Sequence, residues 1–294
     1  MAHRAGTAVI VGRPNVGKST LLNALVGQKV AIVTPRPQTT RTRIIGIRTL
    51  PEAQLVLVDT PGLHQARSLL NRRMVDVARS TLAEADVAIL VVDAAAGIKA
   101  GDREIAEGLA ATKAPTVVVL NKMDLIVRSK LLPVMAALAP VLPDADLVPA
   151  SAKTERELGT VLDVVVGKLP EGPPLYPDAE FTTETERSLV QELVREQIFL
   201  ATRDEVPYGV AVLIDEYTEK PEKGLTVVKA TILVDRENHK PIVLGSRGER
   251  IKAIGTTARL EIEQLLGTKV FLELFVRVEP GWPESPRRLA ELGL

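Results

Sequence analysis

A chain of 294 residues has room for two separate cores, and a composition of 46% hydrophobic and 25% charged residues is that of a globular protein. Lys plus Arg and Asp plus Glu each total 37, so the net charge of zero excludes bulk attraction to a polyanion and confines any nucleic-acid site to a local surface. The absence of cysteine removes disulfides and thiolate chemistry, and the apolar runs are strand-sized rather than membrane-spanning. The N-terminal stretch lacks a basic region followed by a long apolar segment and a cleavage site; together with the absence of cysteine this fits a reducing cytoplasm without requiring one, and surface attachment to a membrane is left open.

From Ala8 onward, short β-branched runs alternate with helix-compatible stretches. "AVIVG", "LVLVD", "VAILVVD" and "PTVVVLNK" read as buried strands of a mostly parallel sheet. The segments around Thr20 to Val26, Leu69 to Glu84 and Ile105 to Ala110 supply the helices that must cover both of its faces. That pattern predicts an α/β domain. Four prolines in "KLPEGPPLYPD", Lys168 to Asp178, interrupt regular structure, so the domain join is placed there, with residues 1–173 before it and 174–294 after it. Beyond it come a helical pattern around Glu184 to Leu200, strand-like "YGVAVLIDEY" and "TVVKATILVDR", a glycine turn, a further helical run and "KVFLELFVRVEP". This order predicts a smaller α+β domain.

"GRPNVGKS" follows the first apolar strand and precedes a helix, the context of a phosphate-binding loop. Gly12, Arg13, Pro14, Asn15, Val16, Gly17, Lys18, Ser19 and Thr20 form the candidate set. Glycines permit tight turning, backbone N–H groups cradle phosphate, Lys18 reaches the β and γ phosphates and Ser19 offers oxygen to magnesium. Asp59 ends the strand "LVLVD", where a carboxylate approaches magnesium through water, and Gly62 places an N–H near the γ phosphate. Thr39 and Thr40 in "RPQTTR" are candidates for sensing γ phosphate and completing the magnesium shell; the sequence does not choose between them.

"NKMD" selects the base. The Asp124 carboxylate accepts from guanine N1–H and its exocyclic amine, a donor pair that adenine lacks, which favours GTP over ATP. Asn121 braces neighbouring loops, and the stem of Lys122 covers the base. In "SAK", Ser151 to Lys153, the Ala152 N–H is expected near guanine O6.

In the second half, "VLGSRGERIKAIG" places Gly245 and Gly248 around Ser246 and Arg247, followed by Arg250 and Lys252 on a helical run. Glycines allow close backbone approach, and basic side chains with a helix N-terminus meet the phosphates of a single strand whose bases lie in an apolar groove. Between Lys240 and Arg277, seven basic residues (Lys240, Arg247, Arg250, Lys252, Arg259, Lys269, Arg277) face four acidic ones (Glu249, Glu261, Glu263, Glu273), a local excess hidden by the neutral total. Ile251, Ile254, Leu260 and Ile262 read as core or groove wall.

The ordered set "GRPNVGKS", "DTPG", "NKMD" and "SAK" resembles the signatures of a translation-factor-related GTPase domain. With "RPQTTRTRIIGI", "LPEGPPLYP", the basic G-x-x-G segment and the closing "GWPESPRRLAELGL", essentially the whole chain resembles the Era-type GTPases of bacteria, in which a P-loop GTPase domain precedes a prokaryotic-type KH domain. The resemblance implies binding to small-subunit ribosomal RNA near its 3′ end, a part in late maturation of the 30S subunit, and a cytoplasmic location with some peripheral association at the inner face of the plasma membrane. A monomer is expected, and no DNA partner.

In Ras-like GTPases a glutamine after D-x-x-G orients the attacking water. Leu63 stands there instead, with neither donor nor acceptor. Similar leucine-substituted GTPases hold potassium with the phosphate-loop asparagine, which Asn15 matches. His64 is the neighbouring imidazole, read as a loop residue rather than a base. Two rival functions stand beside this one: a stress- or membrane-linked GTPase whose KH-like domain serves another RNA, and an RNA-binding scaffold that keeps nucleotide for stability. Intact Lys18, Ser19 and Asp59 favour turnover. Trp282 is read as apolar packing, with base stacking as the alternative.

Overall fold

The computed structural model describes residues 2–37, 39–62, 68–112 and 114–294. The chain divides into two compact units, the first built mainly from residues up to Thr183 and the second from Glu184 onward.

The first unit runs β1 (Arg4–Val11), α1 (Lys18–Val26), β2 (Ile44–Leu50), β3 (Ala53–Asp59), α2 (Leu69–Ala83), β4 (Val87–Asp93), α3 (Ala100–Ala110), β5 (Thr116–Asn121), α4 (Leu131–Leu138), β6 (Asp146–Pro149) and α5 (Leu158–Lys168). Among the described residues its six strands form one sheet in the order β2-β3-β1-β4-β5-β6, parallel except for β2, which pairs antiparallel with β3. Every residue of β3 and of β5 is buried, because helices cover both faces and neither strand needs a polar side. Alternate residues feed two cores. Ala8, Ile10, Leu55, Leu57, Ile89 and Val91 pack with α1 and α5, while Val9, Val11, Val58, Leu90 and Val92 pack with α3 and α4.

Register fixes where a ligand is received. Ile10 lies beside Asp59, and Asp93 beside Asn121, so the carboxyl ends of the central strands finish on one rim of the sheet. Loops leaving that rim are the usual binding positions of an open α/β sheet. The four strands read from the sequence are present, together with two that were not assigned, β6 and the antiparallel edge strand β2. β2 is only partly buried, so "IIGIRTL" lacks the continuous apolar run that marks its neighbours.

The division after Thr183 falls ten residues beyond the proline-based join. Prolines end the helix at Lys168, yet residues 174–183 stay on the first unit as an extended strap. The buried Gln54 side chain accepts from the N–H groups of Leu175 (2.6 Å) and Tyr176 (2.8 Å) and donates to Tyr176 O (2.8 Å). Ile47 N donates to Phe181 O at 2.8 Å, and Thr182 Oγ1 to Ile45 O at 2.6 Å. The strap thus satisfies backbone groups on the open side of β2, a pairing invisible in local sequence.

The second unit runs α6 (Glu186–Ala201), β7 (Val210–Lys220), β8 (Leu225–Val234), α7 (His239–Leu244), α8 (Glu249–Leu266), β9 (Lys269–Val278) and α9 (Pro286–Glu291). Its sheet has the order β7-β8-β9, antiparallel then parallel, with α6, α7 and α8 on one face over a core of Val190, Val194, Val212, Ile232, Ile254 and Ile262 among others. The α/β P-loop domain followed by a smaller α+β KH-type domain is therefore the observed architecture. Pro286 stands in the first turn of α9 behind a Ser285 cap that accepts from Arg288 N, which is where a proline suits a helix.

Replacing Gln54 by leucine orphans the Leu175 and Tyr176 amides and is expected to destabilise the first unit by about 2 kcal/mol. Hydrogen exchange would check it: protection should fall at Leu175 and Tyr176 well before it falls in β1 and β4.

Candidate functional site

The phosphate loop is shaped by backbone that few side chains tolerate. Gly17 has φ 101°, and a Cβ there would come within 2.3 Å of Asn121 Nδ2. The loop then runs straight into α1 at Lys18. An open depression of about 430 Å³ is lined by Asn15, Gly17, Lys18, Ser19, Thr20 and Pro14 from this loop, by Thr34, Arg36, Thr39 and Thr40, and by Gly62. Arg13 instead turns outward, its guanidinium 2.8 Å from the fully buried Asp102 at the start of α3. Val16 is buried.

Ser19, Thr40 and Asp59 converge. Ser19 Oγ donates to Asp59 Oδ2 at 2.6 Å, Thr40 Oγ1 donates to the same oxygen at 3.1 Å, and the two hydroxyls are 3.0 Å apart. Thr39 faces elsewhere: its hydroxyl donates to Arg36 O (3.0 Å) and lies 2.9 Å from Thr34 Oγ1, closing the loop on itself. Burial raises the Asp59 carboxyl above its ordinary range, opposed by Lys18 and by the Ser19, Thr40 and Thr60 hydrogen bonds. The same burial lowers Lys18, opposed by Asp59. Lys18 Nζ donates to Gly12 O (3.1 Å) and Arg13 O (3.2 Å). Both charges are therefore held out of water with incomplete compensation, an arrangement that suits a cation beside the carboxylate and a polyanion beside the ammonium.

The donor set fits magnesium. Asp59 Oδ1 is buried without a hydrogen-bond partner among the described residues. One carboxylate and two hydroxyls are the oxygen-only ligands that a hard cation takes alongside water and phosphate. No cluster of three His, Cys, Asp or Glu occurs among the described residues, which such a shared site does not need.

On the base side, one carboxamide joins three loops. Asn121 Nδ2 donates to Val16 O (2.8 Å) and Asn121 Oδ1 accepts from Ala152 N (3.0 Å). The Ala152 N–H expected at guanine O6 is thus directed to Asn121. Lys122 Nζ donates to Asn15 O and Asp93 Oδ2, each at 2.7 Å, so its ammonium anchors the phosphate loop. Asp124 and Lys153 are exposed, and the buried Ser151 closes its turn by accepting from Thr154 N at 3.2 Å. Asp93 and Asp102 were not singled out from the sequence. The strand-ending acid of "VAILVVD" was the available signal for Asp93; Asp102 sits in an ordinary helical stretch. Leu63 and His64 lie outside the described residues.

In the second unit, Gly245 to Gly248 form the link between α7 and α8. At Gly245, φ is 74° and a Cβ would lie 2.6 Å from Arg250 Cβ, so the loop folds tightly onto the first turn of α8. Ser246, Arg247 and Lys252 are exposed, whereas Arg250 turns back and donates to Ile242 O. Arg250 therefore braces the loop, leaving Arg247 and Lys252 as the open cations. Trp282 is 1% exposed and its Nε1 donates to Gly209 O at 3.0 Å, which makes it core rather than a stacking surface.

A phosphate loop with a strand-end aspartate, a guanine-type N-K-x-D turn and a separate α+β unit with a G-x-x-G loop define a P-loop GTPase joined to a KH domain. Family models agree: a 50S ribosome-binding GTPase model matches residues 7–122 and a KH domain model matches residues 205–283. GTPase Era of Geotalea uraniireducens (strain Rf4) is 49% identical over 290 residues, covering 99% of this chain and 97% of that protein. GTPase Era of a Mycobacterium species (strain KMS) is 46% identical over 294 residues, with 99% and 98% covered. Two solved structures, each 40% identical with 99% of both chains covered, superpose closely. Era in complex with MgGDPNP and nucleotides 1506–1542 of 16S ribosomal RNA gives a TM-score of 0.96, and a variant of Aquifex aeolicus Era bound to GDP·AlF4− gives 0.95. The chain belongs to the Era family of GTPases, and GTP hydrolysis is its activity.

Asn121→Ala leaves Val16 O and Ala152 N without their buried partner and is expected to cost about 2–4 kcal/mol. Urea denaturation of the nucleotide-free protein checks this, and nucleotide affinity should fall in parallel because the same bond sets the phosphate loop against the base side.

Proposed function

We propose that this chain is a magnesium-dependent GTP switch that binds small-subunit ribosomal RNA near its 3′ end and assists late maturation of the 30S subunit. The observation that carries it is full-length similarity to the Era structure with MgGDPNP and nucleotides 1506–1542 of 16S ribosomal RNA. In this reading Ser19, Asp59 and Thr40 hold magnesium, which neutralises charge on the β and γ phosphates. Lys18 and the loop amides from Gly12 to Thr20 bind those phosphates, and Gly62 senses the third. Thr39, bonded to Arg36 O, shapes the loop that delivers Thr40. Asp124 selects guanine, with Asn121, Lys122 and the Ser151–Lys153 turn fixing its position.

Asn15 lines the phosphate depression and its Nδ2 donates to Pro35 O at 3.2 Å, which leaves the oxygen end for a potassium ion. Gly245, Ser246, Arg247, Gly248 and Lys252 meet the RNA backbone, with Arg250 holding the loop. Hydrolysis relaxes the segments carrying Thr40 and Gly62, and RNA affinity changes because the two states differ in binding free energy. The protein acts as a cytoplasmic monomer with peripheral contact at the inner membrane face and no DNA partner. No helix among the described residues is long and apolar enough to cross a membrane.

Labelled RNA carrying the small-subunit 3′-terminal sequence should bind selectively over an unrelated RNA at fixed salt, with affinities in the magnesium–GTP-analogue and GDP states about fivefold or more apart. Equal, unselective binding in both states would sink the proposal.

The cation assignments have their own test. Thr40→Ala should weaken magnesium-dependent binding of a GTP analogue about tenfold, or about 1.4 kcal/mol, and Thr39→Ala much less. Exchanging potassium for sodium should slow hydrolysis in the parent but not in Asn15→Ala; equal rates in both salts for the parent would reject potassium.

A further inference from the structure

The buried side of β9 is defined by Val270, Leu272, Leu274, Val276 and Val278, all packed in the core of the second unit. Period-two alternation therefore puts Lys269, Phe271, Glu273, Phe275 and Arg277 together on the opposite, solvent face. The chain has four phenylalanines, and two of them stand on this one face, 52% and 50% exposed. Their register partners on β8, Val227 beside Phe271 and Thr231 beside Phe275, are buried.

The charges in the row are ordered as well. Read along β9, the face presents cation, ring, acid, ring, cation. The central acid is answered by Lys229, its register partner on β8, which also pairs with Glu216 at 2.8 Å. Lys269 and Arg277, 82% and 53% exposed, stand at the two ends. Rings flanked by exposed cations, Lys269 4.0 Å from Glu263 and Arg277 3.5 Å from Glu279, alternate as bases and phosphates do. Four residues of strand separate the rings by about 13 Å, beyond the roughly 4.5–7 Å of ring contact, so the two take separate bases rather than sandwich one.

Continuity with the G-x-x-G loop selects the occupant. That loop opens α8, and α8 lies on the buried side of β9, where a Cβ at Gly255 would lie 3.5 Å from Leu274 Cδ1. β9 is one of the two edge strands of its sheet. We propose that a single strand of RNA leaving the Gly245–Gly248 loop passes over the edge of β9 and stacks one base on Phe271 and another on Phe275; this rests on the RNA-binding reading above. A second copy of the chain is a poor occupant of the same edge. Antiparallel self-pairing centred on Glu273 would set acid against acid and Lys269 against Arg277.

The test uses the full chain with a magnesium–GTP analogue at fixed salt and two RNAs: one of about four nucleotides, enough for the loop and groove, and one carrying the long small-subunit 3′-terminal sequence. Phe271→Leu with Phe275→Leu should weaken the long RNA by roughly tenfold per ring and leave the short one unchanged. Phe271→Trp with Phe275→Trp should retain the long-RNA affinity. In Phe275→Trp alone, the new indole should be quenched by the long RNA and not by the short one. Unchanged long-RNA affinity in the leucine variant, or an unquenched indole, overturns the proposal, and so does a leucine variant altered only in self-association by sedimentation. Failure of the parent protein to bind the long RNA would instead remove the underlying RNA reading, so the two failures are told apart.

Discussion

Both ends of the Asn121 carboxamide are engaged, one on the carbonyl of Val16 in the phosphate loop and the other on the amide of Ala152. Three loops from distant parts of the chain are thereby set at one spacing, and a nucleotide must touch all three at once. Gly17 is required by the same contact, because any side chain there would occupy the Asn121 amide position. The bond is possible only because β1, β4 and β5 are parallel and finish on one rim, so sheet register comes before site geometry. Lys122 adds a second tie, between Asn15 and Asp93.

Within that frame the charges are left incompletely satisfied. Lys18 and Asp59 are buried near one another, each pushed toward its neutral form by desolvation and pulled back by the other. In the function proposed above, a magnesium-bound nucleotide would supply what each lacks, negative charge to the lysine and positive charge to the carboxylate. The segment that carries Thr40 is tied to this pair, since its hydroxyl donates to Asp59. Preorganised polar groups of this kind act strongly because water does not compete with them.

The second unit separates bracing from contact in a similar way. Arg250 and Trp282, both RNA ligands by residue type, each donate to a backbone carbonyl, Ile242 O and Gly209 O. Arg247 and Lys252 stay open beside a loop whose tight turn depends on Gly245. Strand β9 then divides two surfaces, an aliphatic side against the helices and an aromatic, charged side toward solvent.

Local pattern was enough for the elements whose chemistry is local. Continuous β-branched runs announced the buried strands, and fixed spacings announced "GRPNVGKS", "NKMD" and the G-x-x-G turn, because backbone conformation and side-chain reach over a few residues dictate them. The sequence by itself therefore determined the two-domain class, the nucleotide and the family resemblance. Tertiary structure decided what depends on partners far along the chain. It set Thr40 rather than Thr39 beside Ser19 and Asp59, and it turned Ala152 N–H inward. It also kept residues 174–183 on the first unit, since Gln54 and the open side of β2 supply hydrogen bonds that a proline count does not register.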